Sequence, residues 1–313
     1  DIFNIQNFFN IGKIISYRGI KEGIENTNYL ISTRKQKFIL TIFEKRVKKE
    51  DLPFFMKLMD KLSNLKIKCP SPLKSKKGNY LFNLKSKKAC LVSFLKGKDK
   101  KKLKKKDLYV IGKNIGKMHK ASRKIRLYRK NTFSPLKLKN LLDSINKNKI
   151  NKLSKNLVSE MKNTFIEIKQ GWPKTLPKNI IHGDLFIDNI FFHRGKFLGF
   201  IDFYFSSNDF EAYELATCIN ALCFNKKKKT FSYDKGKTLQ LIKGYETIRK
   251  LQKKEKDCLN ILCKGSALRY LATRSYDYIN TPKSAIIKKK DPREYIQKLA
   301  FHKKINSFSS YIK

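Results

Sequence analysis

Asp184, Asn189 and Asp202 are the residues whose types and spacing suit chemistry. They sit in Ile181-His182-Gly183-Asp184-Leu185-Phe186-Ile187-Asp188-Asn189-Ile190 and Gly199-Phe200-Ile201-Asp202-Phe203, the Asn five residues after the first Asp and the second Asp thirteen beyond it. Phosphoryl transfer from ATP needs such a set. One carboxylate accepts the proton of an attacking hydroxyl, while an amide oxygen and a second carboxylate hold Mg²⁺ on the nucleotide phosphates. Asp and Asn also cap helices and turns, but a cap accounts for one such residue and not for three in this order. His182 is read as a structural support that orients the loop around Asp184, and Asp188 as a solvated or loop-bracing group.

The elements that must position these residues follow from the residues between them. Residues 190–192 and 197–201 are apolar, strand-like runs separated by His193-Arg194-Gly195-Lys196, which reads as a turn. Folded as a hairpin, they leave Asn189 and Asp202 just outside its two ends, side by side. Upstream, residues 13–18 and 29–33 form strands around a Gly-bearing tip, and 37–43 is a third strand. Residues 51–65 have helical spacing with Pro53 in the first turn. Residues 80–84 and 89–94 are two more strands. Phe94-Leu95-Lys96-Gly97 marks a change from β-rich to helical character, a hinge against which adenine would lie. A helix is predicted at 107–122, with Leu108, Ile111, Ile115 and Met118 on one face and His119 as a packing or dipole-compensating residue. Two helices are predicted between 136 and 170, and further ones at 212–224, 235–249, 255–278 and 292–302. The expectation is an α+β chain of two lobes, residues 1–95 binding nucleotide and 96–313 carrying catalysis and substrate.

The chain has 313 residues, 41% hydrophobic and 12% aromatic, which is enough for a substantial core. No apolar run reaches the roughly 18 residues of a membrane helix. Cys69, Cys90, Cys218, Cys223, Cys258 and Cys263 show no CxxC spacing and read as reduced thiols of a cytoplasmic enzyme. The net charge of +47 raises the question of nucleic acid or an anionic membrane as partner. Against specific recognition, the basic residues are 61 Lys and only 11 Arg, whereas phosphate and base readout favours the planar Arg fork. The lysines are spread along the chain, with runs at 100–106, 226–229 and 288–290. The charge is therefore read as surface composition, of the kind an A/T-rich genome produces, which assists capture of anionic ATP.

The chain resembles the kinases of the aminoglycoside phosphotransferase and choline kinase superfamily, and within it is similar to the homoserine kinases of that fold. The resemblance spans essentially the whole chain. It is carried by Tyr17-Arg18-Gly19-Ile20, Glu22-Gly23, Glu25-Asn26-Thr27-Asn28, Phe38-Ile39-Leu40-Thr41-Ile42-Phe43-Glu44, Asp51-Leu52-Pro53-Phe54-Phe55, Leu198-Gly199-Phe200-Ile201-Asp202-Phe203-Tyr204 and Ala267-Leu268-Arg269-Tyr270. It implies a protein-kinase-like fold and MgATP-dependent phosphorylation of the L-homoserine hydroxyl, giving O-phospho-L-homoserine for threonine synthesis. It further implies Asp184 as the base, Asn189 and Asp202 as metal ligands, and Gly23, Asn26, Thr27, Asn28 and Thr41 at the nucleotide.

Two departures from the wider superfamily stand out. Thr41 occupies the strand position where a phosphate-binding Lys is expected, leaving Lys45, Arg46 or a residue near Lys21 as substitutes. Glu214 stands where relatives often carry Asp, and is expected to brace the catalytic loop. For the substrate, an α-carboxylate calls for an Arg. Arg269 or Arg274 is the candidate, with pairing to Asp277 or a loop carbonyl as the alternative, and Tyr204 is placed in the same pocket. The competing readings are a kinase of this fold for choline, a thiosugar or an aminoglycoside, and a non-enzymatic polyanion-binding protein with a kinase shell.

Overall fold

A computed structural model describes residues 2–20, 26–44, 47–281 and 290–313. Two compact units emerge. The first comprises Asp1–Lys100, Ala121–Arg129 and Asp188–Ser206, and the second Lys101–Lys120, Lys130–Ile187 and Ser207–Lys313.

The first unit is built on an antiparallel five-stranded sheet: β1 (Ile14–Ile20), β2 (Asn26–Thr33), β3 (Lys37–Phe43), β4 (Leu81–Leu84) and β5 (Lys87–Ser93), in the order β1-β2-β3-β5-β4. Alternation along β3 sends Phe38, Leu40 and Ile42 to one face, where they pack with Ile5, Phe9, Ile31 and Leu91. Thr41 and Phe43 therefore point to the other face. There the Tyr204 ring lies edge-on to Phe43 at 5.1 Å and to Phe55 at 5.8 Å. Phe55 belongs to helix Leu52–Asn64, which has Pro53 in its first turn, where the missing N–H breaks no helical bond.

The second unit is mainly helical. Helix Lys105–Ser122 buries Leu108, Ile111, Ile115 and Met118. The core around helix Leu259–Asn280 includes Leu157, Met161, Ile168, Leu268, Leu271 and Tyr295. Three helices, not two, lie between residues 136 and 170: Lys139–Ser144, Lys147–Ile150 and Leu157–Gly171. The Asn146 side chain caps the second by accepting from Lys149 N, and Asn156, left-handed at φ 59°, turns the chain into the third. The helix expected at 255–278 is divided into Lys253–Asp257 and Leu259–Asn280. A hairpin, Phe224–Lys227 with Thr230–Tyr233, occupies the 226–229 lysine run. Lys228 and Lys229 form the turn and Lys226 and Lys227 end the first strand, while Phe224 and Tyr233 pack on Phe301. Strands Lys178–Ile181 and Ser207–Phe210, which pair antiparallel, are also beyond the sequence-based expectation.

Among the described residues no helix is long and apolar enough to cross a membrane. The six cysteines are free thiols.

Candidate active site

Asn189 and Asp202 belong to the first unit, at the mouth of the hairpin Ile190–His193 with Lys196–Phe200. Its two-residue turn has positive φ at both Arg194 (46°) and Gly195 (79°), the backbone twist that matches a tight antiparallel pair. Ile190 pairs with Phe200, and Ile201 N donates to Asn189 O at 3.0 Å, so Asn189 and Asp202 leave the hairpin as neighbours. Asn189 is buried, and Asp202 is exposed in the left-handed region at φ 64°, ψ 64°. Their side chains offer one amide oxygen and one carboxylate, a hard, oxygen-only donor set. That set suits Mg²⁺, which is commonly held by one or two protein oxygens together with substrate phosphates. No group of three or more His, Cys, Asp or Glu among the described residues is arranged to hold a metal.

The hairpin is locked to its surroundings by close approach. Phe200 N donates to Lys68 O at 3.0 Å, and Lys68 Nζ donates to Phe197 O at 3.2 Å. A Cβ on Gly199 would lie 2.6 Å from Lys68 O. Gly199→Ala is therefore expected to destabilise the protein by about 1–3 kcal/mol, since a backbone carbonyl must yield. Urea unfolding measures this, and an unchanged midpoint would show that the Lys68 segment gives way freely.

Asp184 belongs to the second unit. It follows strand Lys178–Ile181 in a loop whose Gly183 has φ 78°, a conformation that favours glycine. Glu214, wholly buried on helix Glu211–Leu222, accepts from the backbone N–H of His182 and, at 3.1 Å, from that of Gly183. His119, also wholly buried, places Nε2 3.9 Å from the Glu214 carboxylate and Nδ1 3.0 Å from the Tyr245 hydroxyl. His182 is buried, with Nδ1 3.4 Å from Asp184 N. Arg269 Nη1 donates to Gly183 O at 2.9 Å. Burial opposes the Arg269 charge, but Tyr270, Tyr213 and the Asp184 carboxylate outweigh it and raise its pKa. The Tyr270 hydroxyl lies 2.9 Å from Asp184 Oδ1 and 3.2 Å from Gly183 O.

The remaining candidates fall into three groups. Asn26, Asn28 and Thr41 share one sheet face, because Asn28 pairs with Thr41 and Asn26 with Phe43. The buried Thr41 hydroxyl donates to Asn28 Oδ1 at 2.8 Å. Thr27 points to the opposite face, where its hydroxyl donates to Glu44 Oε1 at 2.9 Å. Tyr204 joins the Thr41 face, its hydroxyl 3.8 Å from Cys90 Sγ, and burial pushes the Cys90 thiol up to about 12. That face is thus neutral at its buried centre. Arg274, the second substrate candidate, pairs with Glu294 at 2.6 Å, and Glu294 also takes Lys298 at 2.5 Å. Gly23 and the substitutes Lys21, Lys45 and Arg46 lie outside the described residues. Tyr270, which touches Asp184, and Glu294, which holds Arg274, carry no assignment from sequence. The signal for Tyr270 is its place directly after Arg269.

Residues 16–242 match the family model described as "Phosphotransferase enzyme family". Over 311 residues the chain is 40% identical to a homoserine kinase of Agrobacterium fabrum, covering 99% of this chain and 95% of that protein. It is 39% identical to a homoserine kinase of Chelativorans sp., covering 96% of this chain and 92% of that one. Among solved structures it resembles an amicoumacin kinase in complex with AMP-PNP and Ca²⁺, with a TM-score of 0.71, 14% identity, and coverage of 92% of this chain and 86% of the other. That likeness establishes the fold, α+β and protein-kinase-like, with an N-terminal antiparallel sheet and a helical C-terminal region. On these grounds the chain belongs to the phosphotransferase enzyme family, among its homoserine kinases.

Proposed function

We propose that the chain transfers the ATP γ-phosphate to the side-chain hydroxyl of L-homoserine, giving O-phospho-L-homoserine and ADP. The carrying observation is near-40% identity to homoserine kinases over almost the full length. The held carboxylate of Asp184 and the paired oxygen donors of Asn189 and Asp202 support the same reading.

Asp184 orients the substrate hydroxyl and accepts its proton as the oxygen attacks the γ-phosphorus and the bond to the ADP oxygen breaks. Mg²⁺ held by Asn189 and Asp202 would neutralise charge on the nucleotide phosphates. Glu214 holds the loop through its N–H groups and Arg269 through its Gly183 carbonyl, so Asp184 is delivered in a fixed position and the rate arises mainly from positioning and charge. Asn26, Asn28 and Thr41 are assigned to the nucleotide within residues 1–95, together with Gly23 and Thr27. Thr27 reaches it only through its backbone, because its side chain is turned to Glu44. Arg269 donates to the Gly183 carbonyl and Arg274 pairs with Glu294, and each guanidinium has further N–H donors, so either is assigned as the candidate for the substrate carboxylate. Tyr204, packed against Phe43 and Phe55, supports the Thr41 face.

ADP release with MgATP and L-homoserine, L-serine, L-threonine, choline or kanamycin tests this. Stimulation by L-homoserine alone is the expected result. Turnover only with another alcohol would keep the kinase and replace the substrate. Silence across the panel with tight RNA binding would make the +47 charge the functional feature.

A further inference from the structure

Tyr270 sits on helix Leu259–Asn280 with 8% of its surface exposed. Its ring is fixed from three sides: Phe186 edge-on at 4.9 Å, Tyr295 tilted at 5.3 Å, and the Arg269 guanidinium 4.7 Å from the centroid. A phenol so clamped has one O–H to give and two acceptors in reach, Asp184 Oδ1 at 2.9 Å and Gly183 O at 3.2 Å. Arg269 already donates to Gly183 O at 2.9 Å. The proton therefore goes to the carboxylate, which is the nearer and the charged acceptor.

We infer that Tyr270 is a positioning residue for the reaction, its O–H fixing the orientation of the Asp184 carboxylate. This rests on the reading of Asp184 as the base. Burial, together with the Asp184 charge and against Arg269, pushes the Tyr270 hydroxyl well above the ordinary tyrosine range. Tyr270 thus remains a donor wherever Asp184 is ionised.

A donor to a carboxylate stabilises its anion and depresses its pKa. Other groups around the pair include Arg269 and Arg274 on the same helix, Tyr213 and Glu214 on helix Glu211–Leu222, and Tyr295 and Glu294 on helix Arg293–Lys303. His182 adjoins Asp184 within the loop, and Lys290 stands over the Phe186 ring. Tyr270→Phe removes only a hydroxyl, so these groups keep their places and a moved pH profile reports on Asp184.

The experiment compares wild type, Tyr270→Phe and Asp184→Asn as full-length enzymes, with L-homoserine and MgATP. Tyr270→Phe is expected to lower kcat about ten- to a hundredfold, the loss of one hydrogen bond to a charged group. KM for MgATP should hold, and the acid limb of kcat should move upward, as removal of a donor to a carboxylate requires. Site-specific 3-fluorotyrosine at 270, a more acidic phenol of nearly the same shape, should move that limb downward. This second variant decides the matter if Tyr270→Phe does not fold. An inactive Asp184→Asn with an unmoved acid limb in the Tyr270 variants would overturn the positioning role alone. Full activity in Asp184→Asn would overturn the underlying reading, and this inference with it.

Discussion

Asp184→Asn is expected to reduce kcat by about 10²–10⁴-fold, the usual contribution of a positioned general base, while MgATP affinity stays within about twofold. The substitution is nearly isosteric. The amide oxygen still accepts from Tyr270, and the loop is still held through the backbone of His182 and Gly183 by Glu214 and Arg269. Melting temperature should therefore change little. What disappears is the capacity to take a proton from the attacking hydroxyl. Steady-state kinetics with L-homoserine, beside equilibrium titration of a non-hydrolysable ATP analogue, separate the two effects. Retention of full kcat would remove Asp184 from the base role. A parallel loss of nucleotide binding would place it among the metal or phosphate contacts instead.

What is legible in the sequence is what local patterning encodes. Two apolar runs around Arg194-Gly195 predict a hairpin, and the hairpin by itself brings Asn189 and Asp202 together. The strand predicted at 37–43 and the observed Lys37–Phe43 coincide because β-branched and aromatic residues there meet both faces of a sheet. Non-local pairing is not encoded this way. Lys178–Ile181 finds its partner Ser207–Phe210 across 25 intervening residues, and neither four-residue run is long enough to declare itself. Arg274 meets Glu294 from a different helix, a pairing hidden from any reading of one helix face. The Lys226–Lys229 run conceals a hairpin because its charge dominates the local composition, while the packing lies in Phe224 and Tyr233 at the outer ends. Thr27 shows how alternation sorts neighbouring residues. Strand alternation alone separates its side chain from those of Asn26 and Asn28, yet closeness along the chain groups the three.

The backbone at Asp202 makes possible a test that separates function from stability. This residue is left-handed, at φ 64° and ψ 64°, a conformation that costs an L-residue with a Cβ roughly 1–2 kcal/mol and glycine almost nothing. Asp202→Gly and Asp202→Ala both delete the carboxylate, and with it every contact that carboxylate makes. Both should lower kcat by about three orders of magnitude or more, the scale of several kcal/mol of charge stabilisation lost with a metal ligand. Both should also abolish the Mg²⁺ dependence of nucleotide binding. They part company in stability, where the glycine variant should unfold later in urea than the alanine variant, by about 1 kcal/mol. Aspartate at this position would then be held in a conformation that glycine adopts more readily, which is the pattern expected where a strained residue is kept for its side chain. Equal midpoints would show that the surrounding chain relaxes the conformation. Activity retained in either variant would take Asp202 out of the metal site and leave Asn189 without its partner.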